Sequence, residues 1–131
     1  MIYKCHASEI VLAWPIVEGW LEKSIAVAPP WWSIEYLRLL CERGDYILWL
    51  AMTDKPVGCA LTVIEQYPKA KVCSVSWIGG KGLKAWLPEL QATIELWAKD
   101  AGAAYLTGAG RRGWARTSNM KELGTILCKE L

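Results

Sequence analysis

Residues 70–110 constrain this chain most, because they read as strand, glycine turn, long helix and strand. In residues 70–78 (AKVCSVSWI), Val72, Ser74 and Ser76 alternate with Cys73, Val75 and Trp77, the period of a β-strand. Gly79-Gly80-Lys81-Gly82 follows, a density of glycine that marks a sharp turn with positive φ or close backbone approach. Leu83, Leu87, Leu90, Ile94, Trp97 and Ala101 then recur at helical spacing, a stripe that packs on a sheet. Gly102 is a natural helix terminator, and residues 103–108 (AAYLTG) return as a second strand. A unit of this length favours two parallel neighbouring strands, with the turn at the carboxyl end of the first.

Function is expected at that turn. Backbone N–H groups at a helix N-terminus form an anion site, and Lys81 and Lys84 stand where the helix dipole disfavours a cation unless an anion is bound. A plain glycine turn with solvated lysines would read the same. Pro88 has no N–H to donate, so a helix starting at Gly82 is expected to kink, whereas one starting near Ala85 would accommodate the proline and lengthen the turn.

At 131 residues, one domain covering residues 1–131 is expected. A formal charge of +2 argues against nucleic-acid or membrane binding by electrostatics. The chain has nine tryptophans and no phenylalanine, so some indoles are expected to line a cleft or contact surface and most to fill the core. The five cysteines are dispersed without a CxxC spacing, and His6 is the only histidine. That pattern implies a reduced protein with neither a disulfide scaffold nor a metal site. No apolar run reaches the length of a membrane span and no signal architecture opens the chain, so the expected compartment is the cytoplasm.

Along the chain, residues 1–5 read as a short strand, and Ser8 as a helix cap. Ile10, Trp14, Val17, Leu21 and Ile25 mark a helical face that Pro15 and Gly19 are expected to kink or split. Ser33 caps a second helix ended by Gly44. Residues 46–52, 57–66 and 70–78 form an antiparallel meander. Residues 109–124 read as a loop with a short helix ended by Gly124, and residues 125–128 as a last strand. The fold class is mixed α+β.

In this element order the chain resembles the GNAT (Gcn5-related) N-acetyltransferase superfamily. Its acetyl-CoA signature, Arg/Gln-x-x-Gly-x-Gly/Ala, follows the fourth strand, where this chain has Gly79-Gly80-Lys81-Gly82-Leu83-Lys84. Gly80 and Gly82 match, with Lys81 and Leu83. Gly79 replaces the leading Arg/Gln, and Lys84 the closing glycine. WIGGKGLKAW, ELWAKDAG and GAGRRGWARTSNMKELG are similar to small GNAT-like proteins of tailed bacteriophages, implying phage origin and the host cytoplasm.

The resemblance implies an acyl-CoA cosubstrate, with Trp77 and Ile78 flanking pantetheine and Gly80, Lys81, Gly82 and Leu83 at the turn. It places Met120 where the family often has a tyrosine acid. Glu65 is then the candidate base, with Tyr105 or Tyr67 as acid, although a solvated carboxylate and packed rings fit the same residues. Arg111, Arg112 and Arg116 around Trp114 are a candidate site for an anion or an acidic partner, or a solvated basic segment. Trp31-Trp32, after two prolines, reads as a cleft lip or a hydrophobic plug.

Two functions compete: an N-acyltransferase using acetyl-CoA or another acyl-CoA, and a non-catalytic GNAT-fold module acting in virion assembly or in inhibition of a host defence protein. The apolar segment 125–128 adds an expected homodimer or protein partner, with no membrane and no nucleic acid.

Overall fold

The computed structural model describes residues 1–108, 119–124 and 126–131. In chain order the elements are β1 (Ile2–Lys4), a 3-10 turn (Ala7–Glu9), α1 (Ile10–Ala26), α2 (Ile34–Glu42), β2 (Ile47–Met52), β3 (Pro56–Gln66), β4 (Lys71–Gly80), α3 (Leu83–Asp100) and β5 (Tyr105–Gly108). Among the described residues one sheet runs in the order β1-β2-β3-β4-β5. β1 through β4 are antiparallel neighbours, and β5 lies parallel to β4. This is the mixed α+β architecture expected, with the meander and the parallel return in place.

Two cores form on the two faces of the sheet. Ile10, Trp14, Val17 and Leu21 of α1 and Leu37 of α2 pack on Leu48, Leu50, Cys59, Leu61 and Trp77. Trp86, Leu87, Leu90, Ile94 and Ala98 of α3 pack on Trp49, Ala60, Cys73 and Val75. β2 contributes to both, as its continuous apolar run predicts.

Three local expectations are corrected. Both prolines sit inside continuous helices: Pro15 and Gly19 do not split α1, and α3 takes the earlier of its two expected starts, with Gly82 as its cap and Leu83 as its first residue. Each proline removes one hydrogen bond, which the burial of a whole apolar stripe outweighs. His6, rather than Ser8, caps the first turn: its Nδ1 accepts from the Ser8 amide at 3.2 Å, while Glu9 accepts from the His6 amide at 2.8 Å. The expected strand at 125–128 is absent over its described part, residues 126–128, and no helix occupies described residues 119–124. Leu123, Ile126, Leu127 and Leu131 there expose their side chains.

One irregularity in β4 decides what faces the site. Leu61 pairs with Trp77 and Thr62 with Val75, leaving Ser76 as the extra residue of a β-bulge. A bulge shifts the period of a strand by one. Cys73 and Val75 therefore face α3, whereas Trp77 faces α1 and α2. Ser74 and Ser76 share a face, their hydroxyls 3.0 Å apart.

Candidate functional site

The strand–turn–helix junction is held by glycines that serve different purposes. Gly80 has φ +132, and a Cβ there would stand 2.4 Å from the Gly58 Cα and 2.5 Å from the Val57 carbonyl oxygen. Gly58 in turn receives the Trp86 ring, which a Cβ would approach to 2.2 Å. The Trp86 indole donates to the Lys81 carbonyl at 2.7 Å, and the Lys81 amide donates to Val57 at 2.8 Å. The turn is thus stapled to β3 from both sides. Gly79 lies beneath α1, its missing Cβ 2.9 Å from that of Trp20.

Gly82 differs from the others. It caps α3 in the left-handed region, φ 64 and ψ 40, with open space where a Cβ would project. Ala85 donates back to the Gly82 carbonyl at 2.9 Å, and the amides of Gly82, Leu83 and Lys84 have no backbone acceptor outside the helix among the described residues. Lys81, Leu83 and Lys84 are exposed around them. Amides without a backbone acceptor, the positive end of α3 and two lysines suit a phosphate group, and the open side of Gly82 gives it room.

Upstream of the turn, β4 offers a backbone edge. β5 pairs with it from Val72↔Tyr105 to Val75↔Gly108, and Ser76–Gly80 have no partner on that side among the described residues. One carbonyl in this segment is already engaged: Ile78 accepts from the Ser24 hydroxyl at 2.7 Å. Trp77 is buried, edge-on to Trp32 with ring centroids 5.3 Å apart. Trp32 also meets Tyr36, while Trp31 is exposed, so the Pro-Pro-Trp-Trp loop has one plugging ring and one solvent-facing ring.

The structure puts Glu65 and Tyr105 on one face of the sheet with the width of β4 between them, and sets both apart from the turn. Glu65 pairs with Val72 and Val72 with Tyr105, so all three lie in line across three strands. Ile64, Cys73 and Leu106 beside them belong to the α3 core, so these three side chains project from the other face. The outer two strands are about 10 Å apart. Tyr67 donates to Glu65 at 3.1 Å, and this hydrogen bond raises the Tyr67 pKa above the usual phenol value. Five residues of strand separate Val72 from Trp77, roughly 16 Å. Arg111, Arg112, Trp114 and Arg116 lie outside the described residues.

Two features were not singled out in the sequence. A groove of about 360 Å³ between α1 and α2 is lined by Glu18, Glu22, Glu35 and Glu42, with Arg38 donating to Glu42 at 2.6 Å. Glu18 and Glu22 share a face at i,i+4 spacing, and that was the available signal. The second is the Trp86–Gly58 staple, which pairs residues far apart in sequence. Among the described residues, no group of three or more His, Cys, Asp or Glu is gathered for a metal, and no helix is long and apolar enough to cross a membrane.

No family model matches this sequence, and no curated protein matches it. Solved structures do match its shape. A probable acetyltransferase superposes with TM-score 0.74 at 13% identity, over 100% of this chain and 96% of that one. Ribosomal-protein-alanine N-acetyltransferase from Brucella melitensis biovar Abortus 2308 gives 0.69 at 13%, over 99% of each. A GNAT family acetyltransferase from Staphylococcus aureus gives 0.68 at 14%, over 100% of this chain and 98% of that one. The fold is the GNAT acetyltransferase fold.

Proposed function

We propose that this GNAT-fold chain is an acyl-CoA-dependent N-acyltransferase, of phage origin and acting in the host cytoplasm. The observation that carries the reading is the α3 N-terminus: three amides without a backbone acceptor among the described residues, an open left-handed Gly82 and two exposed lysines, directly after the segment Ser76–Gly80, whose outer edge no described residue pairs with. Gly82, Leu83 and Lys84 would hold the pyrophosphate, and the free edge of β4 around Trp77 and Ile78 would align the pantetheine arm. Gly80 and Lys81 support this through the turn's shape, since the Lys81 amide is committed to Val57. In the reaction an amine nitrogen bonds to the acyl carbon, the carbon–sulfur bond breaks, and the amine's proton is balanced by the thiol formed. Acetyl-CoA is the proposed cosubstrate. Titration calorimetry with acetyl-CoA tests this: saturable binding supports the reading, and no heat at millimolar ligand overturns it.

A second reading is favoured by a specific observation. Glu65 and Tyr105, the proposed proton carriers, are separated from Trp77 along β4, and Met120 supplies no proton. The exposed Leu123, Ile126, Leu127 and Leu131 offer apolar contacts to another chain. These features suit a non-catalytic binding module that pairs with itself or with a phage or host protein. Light scattering over a concentration series tests self-association, and a pull-down from infected cells tests a foreign partner.

A further inference from the structure

The indole N–H groups of two other buried tryptophans, Trp49 and Trp86, are satisfied. Trp49 donates to Thr62 Oγ1 at 2.9 Å, and Trp86 to the Lys81 carbonyl at 2.7 Å. Trp77 is the exception. Its ring is 8% exposed, and its Nε1 is the one buried side-chain nitrogen or oxygen without a partner among the described residues. An unsatisfied buried donor costs on the order of 1–3 kcal/mol, so a retained one calls for a reason.

Its place in the fold supplies that reason. Trp77 follows the Ser76 bulge, on the segment of β4 that β5 leaves unpaired. Five residues, the end of β4 and the turn, separate it from Gly82, a span of at most roughly 17 Å and within the reach of an extended pantetheine arm. With the pyrophosphate at Gly82, an arm laid along the free edge of β4 brings the thioester end within reach of Trp77. Trp32 packs edge-on against the ring, and its loop is lightly tethered: the Val27 and Trp32 amides each make a 3.4 Å bond, and Ala28 one at 3.0 Å.

We propose that the Trp77 indole N–H is held for the thioester carbonyl oxygen of a bound acyl-CoA, and that Trp32 is the ring that uncovers it. This rests on the acyl-CoA reading above. A neutral donor suits the position, because it holds the carbonyl without titrating at any working pH. It also distinguishes acyl-CoA from CoA, which has no carbonyl at that end.

The test is the indole N–H region of a nitrogen-15 correlation spectrum, with the Trp77 signal assigned by triple-resonance experiments and by its loss in Trp77→Phe. Acetyl-CoA is expected to move that signal downfield in the wild type, and CoA to leave it in place. Trp77→Phe is expected to lose roughly tenfold more affinity for acetyl-CoA than for CoA, about 1.4 kcal/mol. A signal unmoved by bound acetyl-CoA, or moved equally by CoA, overturns the assignment and leaves the cosubstrate reading standing. Absence of binding by either ligand overturns both. Should Trp77→Phe fail to fold, the wild-type signal decides alone.

Discussion

Gly58 and Gly80 meet across the end of the β3–β4 hairpin so closely that a Cβ on Gly80 would lie 2.4 Å from the Gly58 Cα. Of the two glycines that match the acetyl-CoA signature, Gly80 is thus required by the packing of the protein's own backbone, whereas Gly82 has open space beside it.

Substitutions at the two glycines are expected to separate. Gly80→Ala forces a side chain into φ +132 and into β3, and should cost roughly 2–4 kcal/mol in urea unfolding. Gly82→Ala meets only the left-handed penalty of about 1–2 kcal/mol. Gly82→Glu should leave a folded protein that no longer binds acetyl-CoA in calorimetry. Unchanged affinity in folded Gly82→Glu would remove the turn from the cofactor site.

Gly58 and Trp86 should behave as a coupled pair. Gly58→Ala drives a methyl into the Trp86 ring and is expected to destabilise by about 2–3 kcal/mol. In a Trp86→Leu background the same change should cost far less. A double-mutant cycle reads the difference as coupling, expected at about 1 kcal/mol or more. Strict additivity would mean that the ring and the glycine do not constrain each other.

Acid sensitivity is expected at the N-terminal turn. The hydrogen bond from Tyr3, and then that from the His6 amide, hold the Glu9 pKa below its ordinary value. A carboxyl depressed in the folded state contributes stability above its unfolded pKa and loses it as pH falls through the folded one. Melting temperature should therefore fall below pH 4.5 with a component that Glu9→Gln abolishes. A parallel acid profile in the variant would exclude that contribution.

Thiol reactivity should divide four to one. Burial pushes Cys5 and Cys73 up to about 11 and Cys41 and Cys59 up to about 12, and all four are enclosed, while Cys128 is exposed. A disulfide reagent at pH 8 should label one thiol quickly in the native protein, and all five in denaturant. Rapid native labelling that survives Cys128→Ser would contradict this burial.

Much of the sheet was legible because its signals are local. The apolar run of β2, the alternation in β4, and the terminator Gly102 with φ +90 each carry their own reason. The helix starts were harder, since a proline's local cost is visible and the tertiary burial that offsets it is not. Trp86 went unnoticed because its partner is Gly58, and no periodicity links them. At the site, Gly82 and the lysines were legible, but the sequence had no way to show that the Lys81 amide is consumed by Val57. Strict alternation also put Trp77 on the face of Cys73 and Val75, and only the pairing with β3 reveals otherwise.

Ser76 therefore acts as a phase shift within one strand. Before it, the odd-numbered residues belong to the layer beneath α3, and after it to the layer beneath α1 and α2. Deleting this one small residue would close the ladder and leave each side chain in its present layer, whereas flattening the bulge with Ser76 kept in the ladder would turn Trp77 toward α3 and Ile78 toward Trp32. The two halves of the molecule share β4 by dividing it, and a serine marks the boundary.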